Sequence, residues 1–151
     1  TNIGLLTTDH DAEWDCIIGF KIQRVIDEAI GKATAFGLGF ACNNVESTSL
    51  RSFYSAYIVK DGKGHSLYLK LSHHGTNTFI GSKSLPADFD YFAPHTLNIG
   101  IRNMRILVKL DDVKCFYAPT DQSLAGQISL YHCGLRVQIS KITLRLQKKS
   151  E

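Results

Sequence analysis

The chain has 151 residues, of which 44% are hydrophobic and 21% charged, and its formal net charge is +3. This composition is typical of a folded globular domain and excludes an intrinsically disordered chain, which would lack the apolar residues of a core. No apolar run approaches the roughly 20 residues of a membrane-spanning helix. The length predicts one domain, residues 1–151. Because the sequence begins at Thr1 and has no basic and apolar leader, we expect this domain to be excised or processed from a longer chain.

Charge is distributed unevenly along the chain. Residues 1–50 carry three basic and seven acidic side chains, residues 51–100 five and three, and residues 101–151 nine and four. The simpler interpretation is that these charges decorate solvated faces. The alternative is an anion-facing surface in the C-terminal third.

Four cysteines, Cys16, Cys42, Cys115 and Cys133, are too few for a disulfide-built miniprotein. Their apolar or small neighbours favour buried, unpaired thiols. In a secreted protein three pairings would be open, the most local being Cys16 with Cys42 and Cys115 with Cys133. The sequence has no Asn-x-Ser/Thr sequon, which favours an intracellular location.

The first predicted element is an amphipathic helix within residues 17–36, IIGFKIQRVIDEAIGKATAF. A spacing of three and four, which marks one buried helical face, is followed by Ile18, Ile22, Val25 or Ile26, Ala29, Ala33 and Phe36.

The preceding segment, residues 9–16 or DHDAEWDC, is interpreted as the start of that helix. Asp15 would be the N-cap and Trp14 would pack as a hydrophobic staple. The segment is not an EF-hand, because Trp14 and Phe20 replace the required glycine and glutamate. A different calcium site using Asp9, Asp11 and Asp15 is the alternative.

After Leu50 the spacing between apolar residues changes from three and four to two. SFYSAYIVK and HSLYLKLSH flank DGKG, a pattern that predicts a β-hairpin. Later runs, LNIGI, MRILVKL, VKCFY, QISLYHC and GLRVQISKITLRLQ, also alternate. The last run changes parity, which predicts a bulge or turn near Ser140 and Lys141. The fold class predicted is mainly β, an antiparallel β-sandwich or partly open barrel with one N-terminal amphipathic helix.

Common catalytic and cofactor signatures are missing from the sequence. GLGFAC lacks the third glycine of a dinucleotide fingerprint, and GKAT lacks the upstream glycine of a P-loop. The sequence has no Gly-x-Ser-x-Gly elbow, His-Glu-x-x-His helix or Cys-x-x-Cys pair. We therefore expect no cofactor, no catalytic residues that can be named, and no metal site.

The candidate binding site is the non-periodic segment SLPADFDYFAPH, residues 84–95. Long loops on β scaffolds commonly carry recognition, and this one is too aromatic to be disordered. The alternative is that its three rings plug an open end of the core. The predicted partner-binding residues are Asp88, Phe89, Asp90, Tyr91, Phe92 and His95.

A second candidate is a basic nucleic-acid-binding face on the C-terminal strands, where phosphates would meet arginines and lysines. Its predicted residues are Arg102, Arg105, Lys109, Arg136, Lys141 and Arg145.

The sequence therefore favours a non-enzymatic recognition or assembly module that binds a protein or small ligand through the aromatic loop. Nucleic-acid binding is the second hypothesis and a motif-poor hydrolase the third. Homo-oligomerisation or membership of a larger chain is compatible with each of them.

Overall fold

The structure, a computed structural model, describes residues 3–8, 13–26, 34–43, 52–61, 64–120 and 126–147. No helix occurs among them, and hence none that could cross a membrane. The described residues form strands β1 (Ile3–Thr8), β2 (Glu13–Val25), β3 (Thr34–Asn43), β4 (Ser52–Asp61), β5 (Gly64–His73), β6 (Thr76–Ser84), β7 (Pro94–Arg102), β8 (Arg105–Leu110), β9 (Val113–Pro119), β10 (Gly126–Cys133) and β11 (Leu135–Gln147).

These strands form two antiparallel sheets. The six-stranded sheet has the order β1-β10-β3-β4-β5-β6, and the five-stranded sheet has the order β11-β2-β7-β8-β9. The two sheets pack face to face over one apolar core, so the predicted antiparallel sandwich is confirmed.

Two local predictions are confirmed. β4 and β5 form the predicted hairpin, with Tyr57 opposite Tyr68 and Asp61 opposite Gly64. The register of β11 against β2 shifts between Ile139 and Lys141, where the parity change in the sequence requires it.

The core is built by side chains that alternate along each strand. On β2, Trp14 and Phe20 are almost fully buried. Trp14 meets Phe40 of the opposite sheet edge to face at 5.9 Å, and Phe20 lies 4.6 Å from Phe36. Aromatic pairs of this kind stabilise a fold beyond the effect of buried area. Both pairs join β2 of one sheet to β3 of the other, so each sheet stabilises the other.

The predicted N-terminal helix is wrong where the structure describes it. Residues 13–25 form β2 and residues 34–43 form β3, whereas residues 27–33 lie outside the described part. Ile18 and Ile22 fit a helical spacing, but together with Trp14, Cys16 and Phe20 they also fit a period of two. All five residues, one at every second position, are buried on the same face of β2. The β-branched isoleucines favour the strand.

The predicted helix start is therefore also wrong. Trp14 is a core residue and not a staple, and the Asp15 carboxylate accepts a hydrogen bond from Arg102 at 2.6 Å instead of capping a helix. Asp9 and Asp11 of the calcium alternative lie outside the described residues.

The thiols differ in their environments. Cys16 is buried, as expected, and burial raises its pKa to about 11. Cys133 is exposed, so the expectation of burial is wrong there, because its strand ends at the Gly134 turn. Cys16, Cys115 and Cys133 are free thiols.

Candidate functional site

The six-stranded sheet has one face on the core and one face that points away from it. On β4, Tyr54, Ala56 and Ile58 belong to the main core. Side chains on a strand alternate between faces, so Ser55 and Tyr57 lie on the opposite side. We call that side the outer face of the six-stranded sheet.

A cluster of aromatic rings occupies this outer face. The Tyr57 ring lies 5.8 Å from that of Tyr68 and 4.9 Å from that of Tyr131. Phe79 on β6 meets Tyr68 edge to face at 5.4 Å. We call these four residues the tyrosine cluster. They form a row of aromatic rings from β10 to β6, in which Tyr57 is buried, Tyr68 and Tyr131 are half-buried and Phe79 is exposed.

The cluster crosses β3 because that strand has small residues on its outer face. Gly37 lies between Tyr131 of β10 and Tyr57 of β4 in the register. A glycine leaves no side chain between the two rings, so they can meet over the strand. A Cβ at Gly37 would also lie 1.9 Å from the carbonyl oxygen of Ala56, which the packing of β3 against β4 does not allow.

A single described cation, the ammonium group of Lys70, lies over the cluster. Its Nζ is 5.2 Å from the centre of the Tyr57 ring and 5.5 Å from that of Tyr131. Both distances are within the range of cation–π attraction. Burial lowers the pKa of Lys70 from its ordinary value.

The surroundings of Tyr57 and Tyr131 raise the pKa of both phenols. Burial, followed by the neighbouring Tyr131 and Tyr68, raises the pKa of Tyr57 to about 12. Burial and, to a lesser extent, Cys133 raise the pKa of Tyr131. These hydroxyl groups therefore remain neutral at physiological pH and can both donate and accept hydrogen bonds.

A polar hollow of about 530 Å³ adjoins the cluster where β5 begins and β6 ends. Tyr68 borders it on one side, and residues 85–87 border it on the other. Ser66 and Ser84 lie opposite each other in the register, as do Tyr68 and Ser82. The hollow therefore combines an aromatic ring with several hydroxyl groups.

The predicted aromatic loop lies beside this hollow and has both buried and exposed members. Tyr91 is 2% exposed and shares a 3.0 Å hydrogen bond with the hydroxyl of Thr34. Phe89 packs partly against the core, whereas Phe92 is 40% exposed and Asp88 is exposed. Burial raises the pKa of Tyr91 to about 12, opposed by the bond to Thr34.

His95 holds the loop in place. Its Nδ1 is 2.6 Å from the Asp111 carboxylate, and its Nε2 is 2.6 Å from the carbonyl oxygen of Asp90. The ring stacks on Phe89 with centroids 4.5 Å apart. Asp90 in turn accepts a hydrogen bond from the amide of Phe92. Tyr91, Phe89 and His95 thus have packing roles that match the plug alternative, and Asp88, Asp90 and Phe92 are the exposed members.

Two of the predicted basic residues, Arg105 and Lys109, lie on the outer face of the five-stranded sheet. Arg105 and Lys109 alternate with buried Ile106 and Val108. Arg102 forms an ion pair with Asp15 at 2.6 Å. The remaining three residues of that prediction are Arg136, Lys141 and Arg145 on β11.

Sequence reasoning did not single out Tyr57, Tyr68 and Tyr131 as a site. Their alternation with core residues indicated only that they belonged to strands. The signal that joins them, glycine at position 37 between two aromatic strands, becomes visible only when the strand order is known. Among the described residues, no group of three potential metal ligands lies together.

Comparison with known proteins shows structural likeness without detectable sequence kinship. No protein-family model matches the chain, and no curated protein matches it. The comparison therefore depends on the matches to solved structures.

Three solved structures illustrate the likeness. A carbohydrate-binding module, CBM66 from Bacillus subtilis, is 15% identical with a TM-score of 0.65, and the match covers 88% of this chain and 74% of that one. Galectin-Ib from Xenopus laevis is 12% identical with a TM-score of 0.65, covering 96% and 98%. A homodimeric agglutinin from chicken liver is 13% identical with a TM-score of 0.63, covering 96% and 98%.

At these identities the likeness establishes the fold, a two-sheet sandwich similar to that of galectins and carbohydrate-binding modules. None of the three neighbours is described as a nucleic-acid-binding protein. The nucleic-acid hypothesis therefore has no support from them.

Proposed function

We propose that this protein is a carbohydrate-binding module that uses the outer face of its six-stranded sheet. The observation that carries the proposal is the tyrosine cluster next to a serine-lined hollow. The fold neighbours support it, because they include a carbohydrate-binding module and galectins. A shared fold does not define a ligand, so the argument depends on the residues of this chain.

The chemistry of the surface suits a sugar. A sugar ring has hydroxyl groups around its edge and patches of C–H bonds on its faces. Tyrosine is similarly amphipathic, with an apolar ring and a polar hydroxyl, so Tyr68 can contact a C–H face and still form hydrogen bonds. The hydroxyls of Ser66, Ser82 and Ser84 line the adjoining hollow and supply further donors and acceptors.

The buried hydroxyl of Ser55 adds a second polar feature to this face. Ser55 has no exposed surface, and its Oγ has no hydrogen-bond partner. It lies opposite Lys70 in the β4–β5 register. Since an unpaired buried hydroxyl is costly, a ligand that displaced the Lys70 side chain and reached Ser55 would recover that cost.

In this proposal the aromatic loop forms one border of the hollow. Pro86 and Ala87 line the hollow directly. Asp88 is the exposed residue next to them in the sequence and Phe92 is the exposed aromatic residue of the loop. We propose that both widen the contact with a longer oligosaccharide.

The test is binding to a panel of neutral and acidic oligosaccharides, followed by titration calorimetry on the best binder. Tyr68→Ala should weaken binding at least tenfold, because it removes the ring that joins the cluster to the hollow. Tyr117→Ala is the matched control, since Tyr117 is 45% exposed on the other sheet and does not line the hollow. Failure of every oligosaccharide to bind, or equal loss in both variants, would contradict the proposal.

A further inference from the structure

A second pocket lies between the two sheets, away from the outer face. Its volume is about 450 Å³, within the range of small-molecule sites. It is located where β2 ends and where Gly134 connects β10 to β11, and a hydrogen bond from the amide of Ile26 to the carbonyl of Gly134 joins these segments.

The lining of this pocket is mainly apolar. Phe36 and Leu130 come from the six-stranded sheet, whereas Leu135, Val137 and Ile139 come from β11. Leu130 and Tyr131 are adjacent on β10, so they point to opposite faces of the sheet. The pocket and the tyrosine cluster are therefore separate sites that share a strand.

Two arginines border the apolar lining. Arg24 and Arg136 both line the pocket and both have exposed side chains. They lie directly opposite each other in the β2–β11 register. His132 is the other titratable residue among the described lining residues, and none of these lining residues is acidic.

The arrangement of the two arginines is unfavourable by itself. Like charges placed directly opposite on neighbouring strands repel and destabilise the pair. In the described part of the chain, the salt bridges involve His95 with Asp111 and Arg102 with Asp15, and neither includes Arg24 or Arg136. An anion between the two guanidinium groups would remove this repulsion, and arginine suits carboxylates particularly well because it can donate two parallel hydrogen bonds.

We propose that this pocket binds a single-chain amphiphile with an anionic head, of the long-chain carboxylate class. The hydrocarbon chain lies against Phe36, Leu130 and Val137, and the carboxylate lies between Arg24 and Arg136. The proposal is independent of carbohydrate binding, since the pocket opens between the sheets and not on the outer face.

The test is calorimetric titration of the full chain with decanoate below its micelle concentration. Decanol has the same chain without the charge, decyltrimethylammonium has the opposite charge, and acetate has the head without the chain. We expect decanoate to bind at least tenfold more tightly than decanol, and we expect no measurable binding of the other two compounds.

Two kinds of variant separate the head from the chain. Arg24→Gln and Arg136→Gln should each weaken decanoate at least fivefold and leave decanol unchanged, whereas Leu130→Trp should weaken both by filling the pocket. Lys21→Gln is the matched control, because Lys21 is an exposed cation on β2 that does not line the pocket. Arg24→Gln and Arg136→Gln each remove one charge of the repelling pair at an exposed position, so their melting temperatures should equal or exceed that of the wild type.

No decanoate binding to the wild type would overturn the proposal, as would equal affinity for decanoate and decanol. Displacement of decanoate by the oligosaccharide of the outer-face site would also overturn it, because it would place both ligands in one site. Loss of sugar binding in Tyr68→Ala with unchanged decanoate binding is the expected pattern, and each proposal can fail without the other.

Discussion

Tyr91 and Phe92 are neighbours in the sequence and differ sharply in burial. Tyr91 is 2% exposed and its hydroxyl is bonded to Thr34, whereas Phe92 is 40% exposed. The aromatic loop therefore combines packing and surface residues. Tyr91 packs as the plug alternative requires, whereas binding through exposed Phe92 stays a prediction.

Truncating each ring should separate these roles. Tyr91→Ala should lower the free energy of unfolding by about 3 to 5 kcal/mol, the usual cost of removing a buried aromatic side chain. Phe92→Ala should change it by less than about 1 kcal/mol, as surface substitutions do. Urea denaturation measures both, and equal costs in the two variants would contradict the assignment.

Burial of two phenols also predicts a dependence of stability on alkaline pH. The pKa of Tyr57 and of Tyr91 is about 12 in the folded protein, against about 10 in an unfolded chain. Below pH 10 both states keep these protons. Between pH 10 and 12 the unfolded chain loses them first, so the free energy of unfolding should fall as the pH rises.

Denaturation curves at several pH values from 8 to 11.5 measure this fall. A Tyr57→Phe, Tyr91→Phe double variant cannot ionise at these positions and should lose less stability over that range than the wild type. Parallel curves for the two proteins would show that these phenols do not contribute to the alkaline loss of stability.

At the scale of elements, β3 determines whether the tyrosine cluster can form. Ala35 and Gly37 lie on its outer face, and Tyr57 and Tyr131 from the flanking strands meet over it. A larger side chain at position 37 would separate the rings and push β3 away from β4. The composition of one strand thus controls a contact between two others.

Gly37→Ala should destabilise the protein by about 3 kcal/mol, at the upper end for an overpacked site, because its Cβ would overlap the Ala56 carbonyl. Ala35→Gly in the same strand is the control and should cost about 0.5 to 1 kcal/mol. Thermal unfolding compares the two variants. If Gly37→Ala lost no more stability than Ala35→Gly, the close approach of β3 and β4 would not be rigid.

At the scale of the whole molecule, the two sheets share a single core. Trp14 of the five-stranded sheet packs against Phe40 of the six-stranded sheet, and both are buried. Neither sheet keeps its apolar face covered without the other. The prediction of one domain over residues 1–151 therefore implies that the sheets unfold together.

Equilibrium denaturation tests this with probes from different places. Fluorescence of Trp14, far-ultraviolet circular dichroism and the reactivity of the Cys16 thiol should give coincident curves. The Cys133 thiol is exposed and should react before unfolding, which makes it the internal control. Separate transitions for Trp14 fluorescence and circular dichroism would indicate two independently stable units.

Sequence alone determined the β-rich class, the β4–β5 hairpin and the bulge between Ile139 and Lys141. Each of these follows from alternation over a short stretch, because a strand with one face on a core must place apolar residues at every second position. The same rule was ambiguous in β2, where Ile18 and Ile22 fit both a helical and an extended period. There the pairing of β2 with β7 and β11 decided the conformation.

Only the tertiary structure decided which aromatic and basic residues come together. Tyr57, Tyr68 and Tyr131 lie on three strands, and no local pattern relates Tyr131 to the other two. Arg24 and Arg136 become neighbours only because β11 pairs with β2. Local spacing sets the face on which a side chain lies, whereas strand order and register set its neighbours across the sheet, and both candidate sites of this protein depend on such neighbours.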